Sequence, residues 1–167
     1  MTATQVERSP AHVNPLDLVE EVVSAHDWPF ERAGEEELVA QIGGRWGDYR
    51  LLFAWHADLC ALQFTCALDV KVPENRRRPV VELLSMMNES LWVGHFELCA
   101  SENVPLFRHS LLLRGAPGAS VEQLEDLVDI AVSEGDRFYP AFQFVIWGGK
   151  SASDAMVSAM IDTVGEA

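Results

Sequence analysis

The residues Gly149-Lys150-Ser151 close the stretch WGGKS, which has the ending of a phosphate-binding loop. In the full motif, G-x-x-x-x-G-K-[ST], backbone N–H groups cradle phosphate and the lysine reaches its outer oxygens. The first glycine of that motif has to fall at position 144, and Phe144 stands there. A side chain at that point fills the space and restricts φ where the backbone must curl towards phosphate. No second acidic strand for magnesium stands out after Ser151. The stretch reads instead as a helix or strand ending at Gly148-Gly149, with Ser151 or Ser153 capping a last helix. A weaker form of the same chemistry stays open. Gly148, Gly149, Lys150 and Ser151 can hold an anion on backbone N–H groups where that helix begins, with the lysine beside it.

Five histidines invite a metal. His12 lies in an N-terminal tail, His26 ends the first helix and His56 sits in a hairpin turn. His95 and His109 share a second hairpin. Alternation puts Phe96 and Leu98 towards the core from one strand, and Phe107, Leu111 and Leu113 from the other. His95 then points outward and His109 inward, so a shared site needs a bulge, and His109 reads as a hydrogen-bonded core residue. No metal is expected. Cys99 and His95 lie four apart on one strand, roughly 13 Å, which is too far for proton transfer. No G-x-S-x-G nucleophile turn occurs. Glu35-Glu36-Glu37 sits at a turn and reads as solvated. No catalytic residues and no cofactor are expected.

Two other groups of residues suit contact rather than catalysis. Arg76-Arg77-Arg78 is the one basic run in an acidic chain. It reads as a solvated helix start or as a contact for an acidic partner. Tryptophan occurs five times, at positions 28, 46, 55, 92 and 147. Tryptophan fills cores and is enriched at interfaces. Trp46, Trp92 and Trp147, with Arg76 and Arg77, are the candidate partner-binding residues.

The composition limits the partners. With 26 acidic and 12 basic residues the formal net charge is −14, which disfavours nucleic acid and anionic membrane surfaces alike. Cys60, Cys66 and Cys99 are odd in number, lack C-x-x-C spacing and lie in apolar stretches, so reduced core thiols are expected. The opening residues have no apolar segment of the secretory kind, and no apolar run reaches membrane-spanning length. A cytoplasmic location is expected.

These residues must be positioned by a small set of elements. Residues 1–13 read as a flexible tail and 14–167 as a single domain. Asn14-Pro15 starts a helix whose apolar positions, Leu16, Val19, Val22 and Val23, recur at helical spacing to about Ala25. Short extended pieces over 30–33 and 37–42 flank a turn at Gly34. Tyr49, Leu51, Phe53 and Trp55 alternate in a strand. A long strand follows from about Leu59 to Val70, with Leu62, Phe64, Cys66 and Leu68 on its core face. Pairing Trp55 with Cys60 and Phe53 with Leu62 makes the two core faces coincide across a four-residue loop. A second helix starts between Asn75 and Pro79. A hairpin runs from Gly94 to Leu113. The third helix opens on the capping box Ser120–Gln123. It weakens at Gly135 and Pro140 and is expected to continue to about Trp147, followed by a short last helix over 153–163. The fold class is α+β: a twisted antiparallel sheet of about five strands with helices on one face. Leu52, Ala54, Leu59, Ala61 and Ala67 make the other face apolar as well, and an apolar face of that kind wants a cover, such as a second copy.

The stretches RWGDYRLLFAW (45–55), ALQFTCALDVKVPENRR (61–77), MNESLWVGHFEL (87–98), LFRHSLLLRG (106–115) and YPAFQFVIWGGKS (139–151) resemble the YbjN-domain family. The resemblance spans about residues 14–165. It implies a bacterial sensory-transduction regulator with a fold similar to that of type III secretion chaperones, commonly dimeric. It implies no catalytic residues. The expected function is a non-enzymatic homodimer that binds a protein partner in a chaperone-like or regulatory role. The alternative is a small-molecule or anion sensor built on the turn from Gly148 to Ser151.

Overall fold

The computed structural model describes residues 13–164, with side chains over 13–161. The expected tail, but for Val13, lies outside the described residues.

Helix α1, Leu16–Ala25, buries Leu16, Val19, Val22 and Val23. The Asn14 side chain accepts from the Leu16 N–H at 2.9 Å, which satisfies one of the donors that every helix start leaves free. Asp27 then turns into the left-handed region at φ 57°. The Trp28 N–H reaches back to the Val23 carbonyl at 3.0 Å and closes the helix.

Six strands follow in one antiparallel sheet: β1 Phe30–Ala33, β2 Glu37–Gly43, β3 Asp48–His56, β4 Ala61–Ala67, β5 His95–Leu98 and β6 Pro105–Leu112. Their order across the sheet is β1-β2-β3-β4-β6-β5. The count is six rather than about five because both pieces around Gly34 pair along their length, from Phe30 opposite Ala40 to Ala33 opposite Glu37. The long strand expected over 59–70 is shorter. Leu59 belongs to a 3-10 turn over Ala57–Leu59, and Cys60 adopts φ 49°, so pairing starts at Ala61. The connection is four residues, as expected, but lies one residue later, at 57–60. Trp55 therefore pairs with Leu62, and Phe53 with Phe64. The slip is two residues, so side-chain parity survives and the same residues reach the core.

The helices form one layer. Helix α2, Arg77–Glu89, follows a 3-10 turn over Glu74–Arg76. Pro79 falls in its first turn, where an N–H has no intrahelical acceptor to lose. Helix α3, Val121–Ile146, opens on the expected capping box, with Gln123 N–H to Ser120 Oγ at 3.1 Å and Ser120 N–H to Gln123 Oε1 at 2.9 Å. It runs unbroken through Gly135 and Pro140. Gly135 is there for approach: a Cβ would stand 2.9 Å from Leu68 Cδ2 and 3.4 Å from Tyr49 Cε2. Helix α4, Ala152–Val164, turns the small residues Ala152, Ala155 and Ala159 inward, which lets it lie close against α2 and α3.

Between the layers lies a core of large side chains. Phe53, Phe64, Phe107 and Phe96 form a chain of ring contacts, with centroid separations of 5.0, 6.5 and 5.6 Å in that order. Phe96 continues it to Phe138 on α3 at 6.0 Å. By parity the opposite face of the sheet carries Leu52, Ala54, Ala61, Gln63, Thr65, Ala67, Leu106 and Arg108, whereas the buried residues of the described helices gather with Phe53, Leu62, Phe64 and Phe107 on the first face. Ala54, Ala61, Thr65, Ala67 and Leu106 on this face are nonetheless buried. Leu59, expected on this face, is exposed in the turn.

Candidate functional site

The tryptophans divide cleanly. Trp55 is core on β3, and Trp28 is partly buried, stacked on His26 with ring centres 4.6 Å apart. Trp46, Trp147 and Trp92 remain 41%, 65% and 81% exposed. They are the three proposed from the sequence as contact residues.

Trp46 is exposed yet fixed. Its indole N–H donates to the Asp136 carbonyl at 3.0 Å, and its ring lies parallel to Tyr139 at 6.3 Å. The Arg45 guanidinium sits over the indole, 5.2 Å from its centre, a cation–π placement. Asp136 anchors the arrangement: Oδ1 accepts from the Tyr49 hydroxyl at 2.6 Å and from the Arg45 N–H at 2.9 Å. Burial first, then the bond to Asp136, holds the Tyr49 hydroxyl far above its ordinary pKa, so it stays a donor. Tyr139 donates to the Asp69 carbonyl at 2.7 Å. The β2–β3 loop is thereby bolted to α3 some 90 residues away in sequence. No local pattern marks Asp136 for this role, since its partners are remote in the chain.

The WGGKS turn joins α3 to α4. Gly149 is left-handed at φ 64°, and Ser151 Oγ accepts from the Asp154 N–H at 3.2 Å, the expected cap. The donors an anion would need are largely in use. Gly148 N–H goes to the Gln143 carbonyl at 3.2 Å and Lys150 N–H to the Phe144 carbonyl at 3.0 Å. The Lys150 ammonium donates to Ser158 Oγ at 2.7 Å and lies 4.5 Å from the centre of the Phe144 ring.

Two of the three arginines also turn inward. Arg76 Nε donates to the Val145 carbonyl at 2.8 Å, and its terminal nitrogen to the Lys150 carbonyl at 3.1 Å. It caps the C-terminal end of α3, a place that favours positive charge. Arg77 donates to Asn103 Oδ1 at 3.1 Å. Arg78 alone is open to solvent, with Glu82 at 3.8 Å.

His95 and His109 lie on opposite faces, as the alternation requires. His95 pairs with Arg108 on the helix-free face, and its ring meets Glu97 at 3.1 Å. Glu97 also binds Arg108 at 2.8 Å. His109 pairs with Phe64 on the helix side, but it is only half-buried, and no hydrogen bond holds it among the described residues. The expectation of a hydrogen-bonded core histidine is corrected on that point: Phe107 is fully buried, while His109 and Leu111 beyond it are only partly covered. No group of three metal-ligating side chains occurs among the described residues. The cysteines are free. Cys60 and Cys66 are buried, and Cys99 is partly exposed beside Ser101 Oγ at 3.3 Å. No described helix is long and apolar enough to cross a membrane.

A one-layer antiparallel sheet, backed on one side by the described helices, defines an α+β domain. The chain belongs to the YbjN family, described as "Putative bacterial sensory transduction regulator", whose sequence profile matches residues 15–144. Among solved structures it is similar to YbjN from E. coli, described as "a putative transcription regulator", at 15% identity and a TM-score of 0.53, over 74% of this chain and 88% of that one. That likeness carries the fold alone. No curated protein matches.

Proposed function

We propose that this chain is a non-enzymatic regulatory module of the cytoplasm that acts by binding protein, as a homodimer and in a chaperone-like manner. The observation that supports the reading is a sheet face on which no described helix packs, in a molecule that exposes Trp92 and Trp147 to solvent and holds the exposed Trp46 in place by its own contacts. Exposed aromatic surface of that kind is typical of protein contacts. The charge argues that regulation runs through protein rather than DNA. The net charge is −14, and of the one basic run, Arg76 and Arg77 are committed to the fold, which leaves no basic stripe to meet phosphates.

The test is light scattering across a concentration series. The expected mass approaches twice the 18.6 kDa of the chain as concentration rises. A single-chain mass throughout, even at hundreds of micromolar, would overturn the dimeric part of the proposal.

A further inference from the structure

The two edges of the sheet differ. At one edge, β1 is short and polar, carries Glu31, and is followed by Glu35-Glu36-Glu37. Charge and brevity of that kind blunt an edge against pairing. At the other, β5 covers only half of β6. Its pairing runs from Leu98 opposite Pro105 to His95 opposite Arg108 and stops. Beyond Arg108, β6 continues for four residues, His109-Ser110-Leu111-Leu112, with β4 on one side only.

The direction of the backbone groups on that free stretch follows from two bonds. Leu113 N–H donates to the Cys60 carbonyl at 2.8 Å, and Leu68 N–H to the Pro105 carbonyl at 3.0 Å. Odd-numbered residues of β6 therefore turn their backbone groups towards β4, and even-numbered ones turn theirs away. Leu106 and Arg108 find β5. Ser110 and Leu112 find no strand among the described residues, which leaves two N–H and two C=O groups along an open edge. Leu112 is 80% exposed. The chain leaves this edge at Gly94, whose φ of 66° turns it away; a Cβ there would stand 2.9 Å from the Arg108 carbonyl. Trp92 lies two residues before that turn.

We infer that this open edge of β6 pairs with the same edge of a second copy, antiparallel about a two-fold axis at Leu111. Ser110 then faces Leu112 of the partner subunit and the reverse, so all four free groups on each copy are used and the sheets join into one of twelve strands. Two observations select a second copy. The edge carries no carboxylate from Val104 to Ala119, so no acidic side chains are brought together there; the axis sets Arg108 opposite Arg114 of the partner subunit, and Glu97, bonded to Arg108 at 2.8 Å, offsets that pair. Its free groups are also self-complementary in one register, since outward-facing residues occur at 110 and 112 and pair only with each other across that axis. The inference rests on the dimeric reading above and names its contact. Four residues of strand with Leu112 bury less than a standard interface, so the dimer is expected to be concentration-dependent.

The experiment compares the full chain with Leu112→Glu and Ser110→Pro by light scattering over the same concentrations. Neither position is buried in the single chain, and proline is tolerated on an edge strand where its N–H has no partner. Circular dichroism and melting temperature check that each variant folds. The expected result is dimerisation by the parent and at least tenfold weaker association in both variants. Trp92→Ala, near the edge but off the pairing, is expected to weaken it less. Dimeric variants beside a dimeric parent sink the edge assignment and leave the dimer standing. A monomeric parent sinks both. If the parent is monomeric and Ser110 and Leu112 amides are nonetheless protected from hydrogen exchange, the edge is closed within one chain and the second copy is refuted.

Discussion

Replacing Gly94 by alanine separates two costs that the structure makes additive. Gly94 has φ 66°, and an added Cβ would lie 2.3 Å from Phe107 Cζ, 2.7 Å from Phe107 Cε2 and 2.9 Å from the Arg108 carbonyl. Left-handed backbone costs an L-residue about 1–2 kcal/mol. Phe107 is fully buried among Phe64 and Phe96, so its ring cannot withdraw without disturbing them, and overpacking of that kind costs a further 1–3 kcal/mol or so. The expected loss is about 2–5 kcal/mol. For a chain of this length each kcal/mol lowers the melting temperature by roughly 2–4 °C. Gly115 is the control. It is left-handed at φ 81°, but nothing lies within 4 Å of its Cβ position. Gly115→Ala therefore carries the backbone cost alone, and the entropy that alanine removes from the unfolded chain is common to both variants. Urea denaturation of the two, read from midpoints at constant slope, isolates the packing cost as their difference. Equal losses for Gly94→Ala and Gly115→Ala would falsify the claim that β5 is pressed against β6 at this point.

Three further outcomes are expected. Arg76→Ala strips the Val145 carbonyl at the end of α3 and the Lys150 carbonyl in the turn after it of a charged donor and should cost about 1.5–3 kcal/mol in denaturation, whereas the exposed Arg78→Ala should stay within about 0.5 kcal/mol; similar losses refute the capping role. His109 is held below its ordinary pKa, first by burial and then by neighbouring His95. The folded state therefore favours its neutral form. The corresponding stability is fully present above about pH 6.5 and is lost as pH falls through the lowered folded value, so His109→Gln should flatten the slope of urea midpoints between about pH 7.5 and pH 5, and an unchanged slope counts against it. Burial pushes the Cys66 thiol up to about 12, while the bond to Ser101 holds that of the partly exposed Cys99 below its ordinary value. Mass spectrometry after brief alkylation of the native protein should find Cys99 modified first, and early labelling of Cys66 would contradict the burial.

The elements were legible wherever a local signal is strong. The capping box at Ser120, the first-turn proline at Pro79 and the helical spacing of Leu16, Val19, Val22 and Val23 each set an element by interactions within a few residues. The alternation in β3 and β4 determined which residues face the core, because parity is a property of the chain itself. It did not determine the register. That was decided by Cys60 turning left-handed and moving the loop one residue along, a choice with no clear mark in the sequence. The three exposed tryptophans were singled out by type, but only the packed structure distinguishes them from Trp55, whose place on the core face of β3 buries it.

What the sequence determined by itself, then, is what short-range physics controls: the helices with their caps, the alternation of the strands and the α+β class, together with the net charge of −14. What the tertiary structure decided is what depends on partners far apart in the chain. Asp136 anchors the loop at Trp46 across some 90 residues, and Arg76, which reads as a free cation, is drawn 69 residues along the chain to the Val145 carbonyl. The half-covered edge of β6 likewise exists only because β5 stops at His95. Whether a side chain or a backbone group is free to meet a partner depends on which contacts the fold has already used, and that is set by the packing of all the elements together.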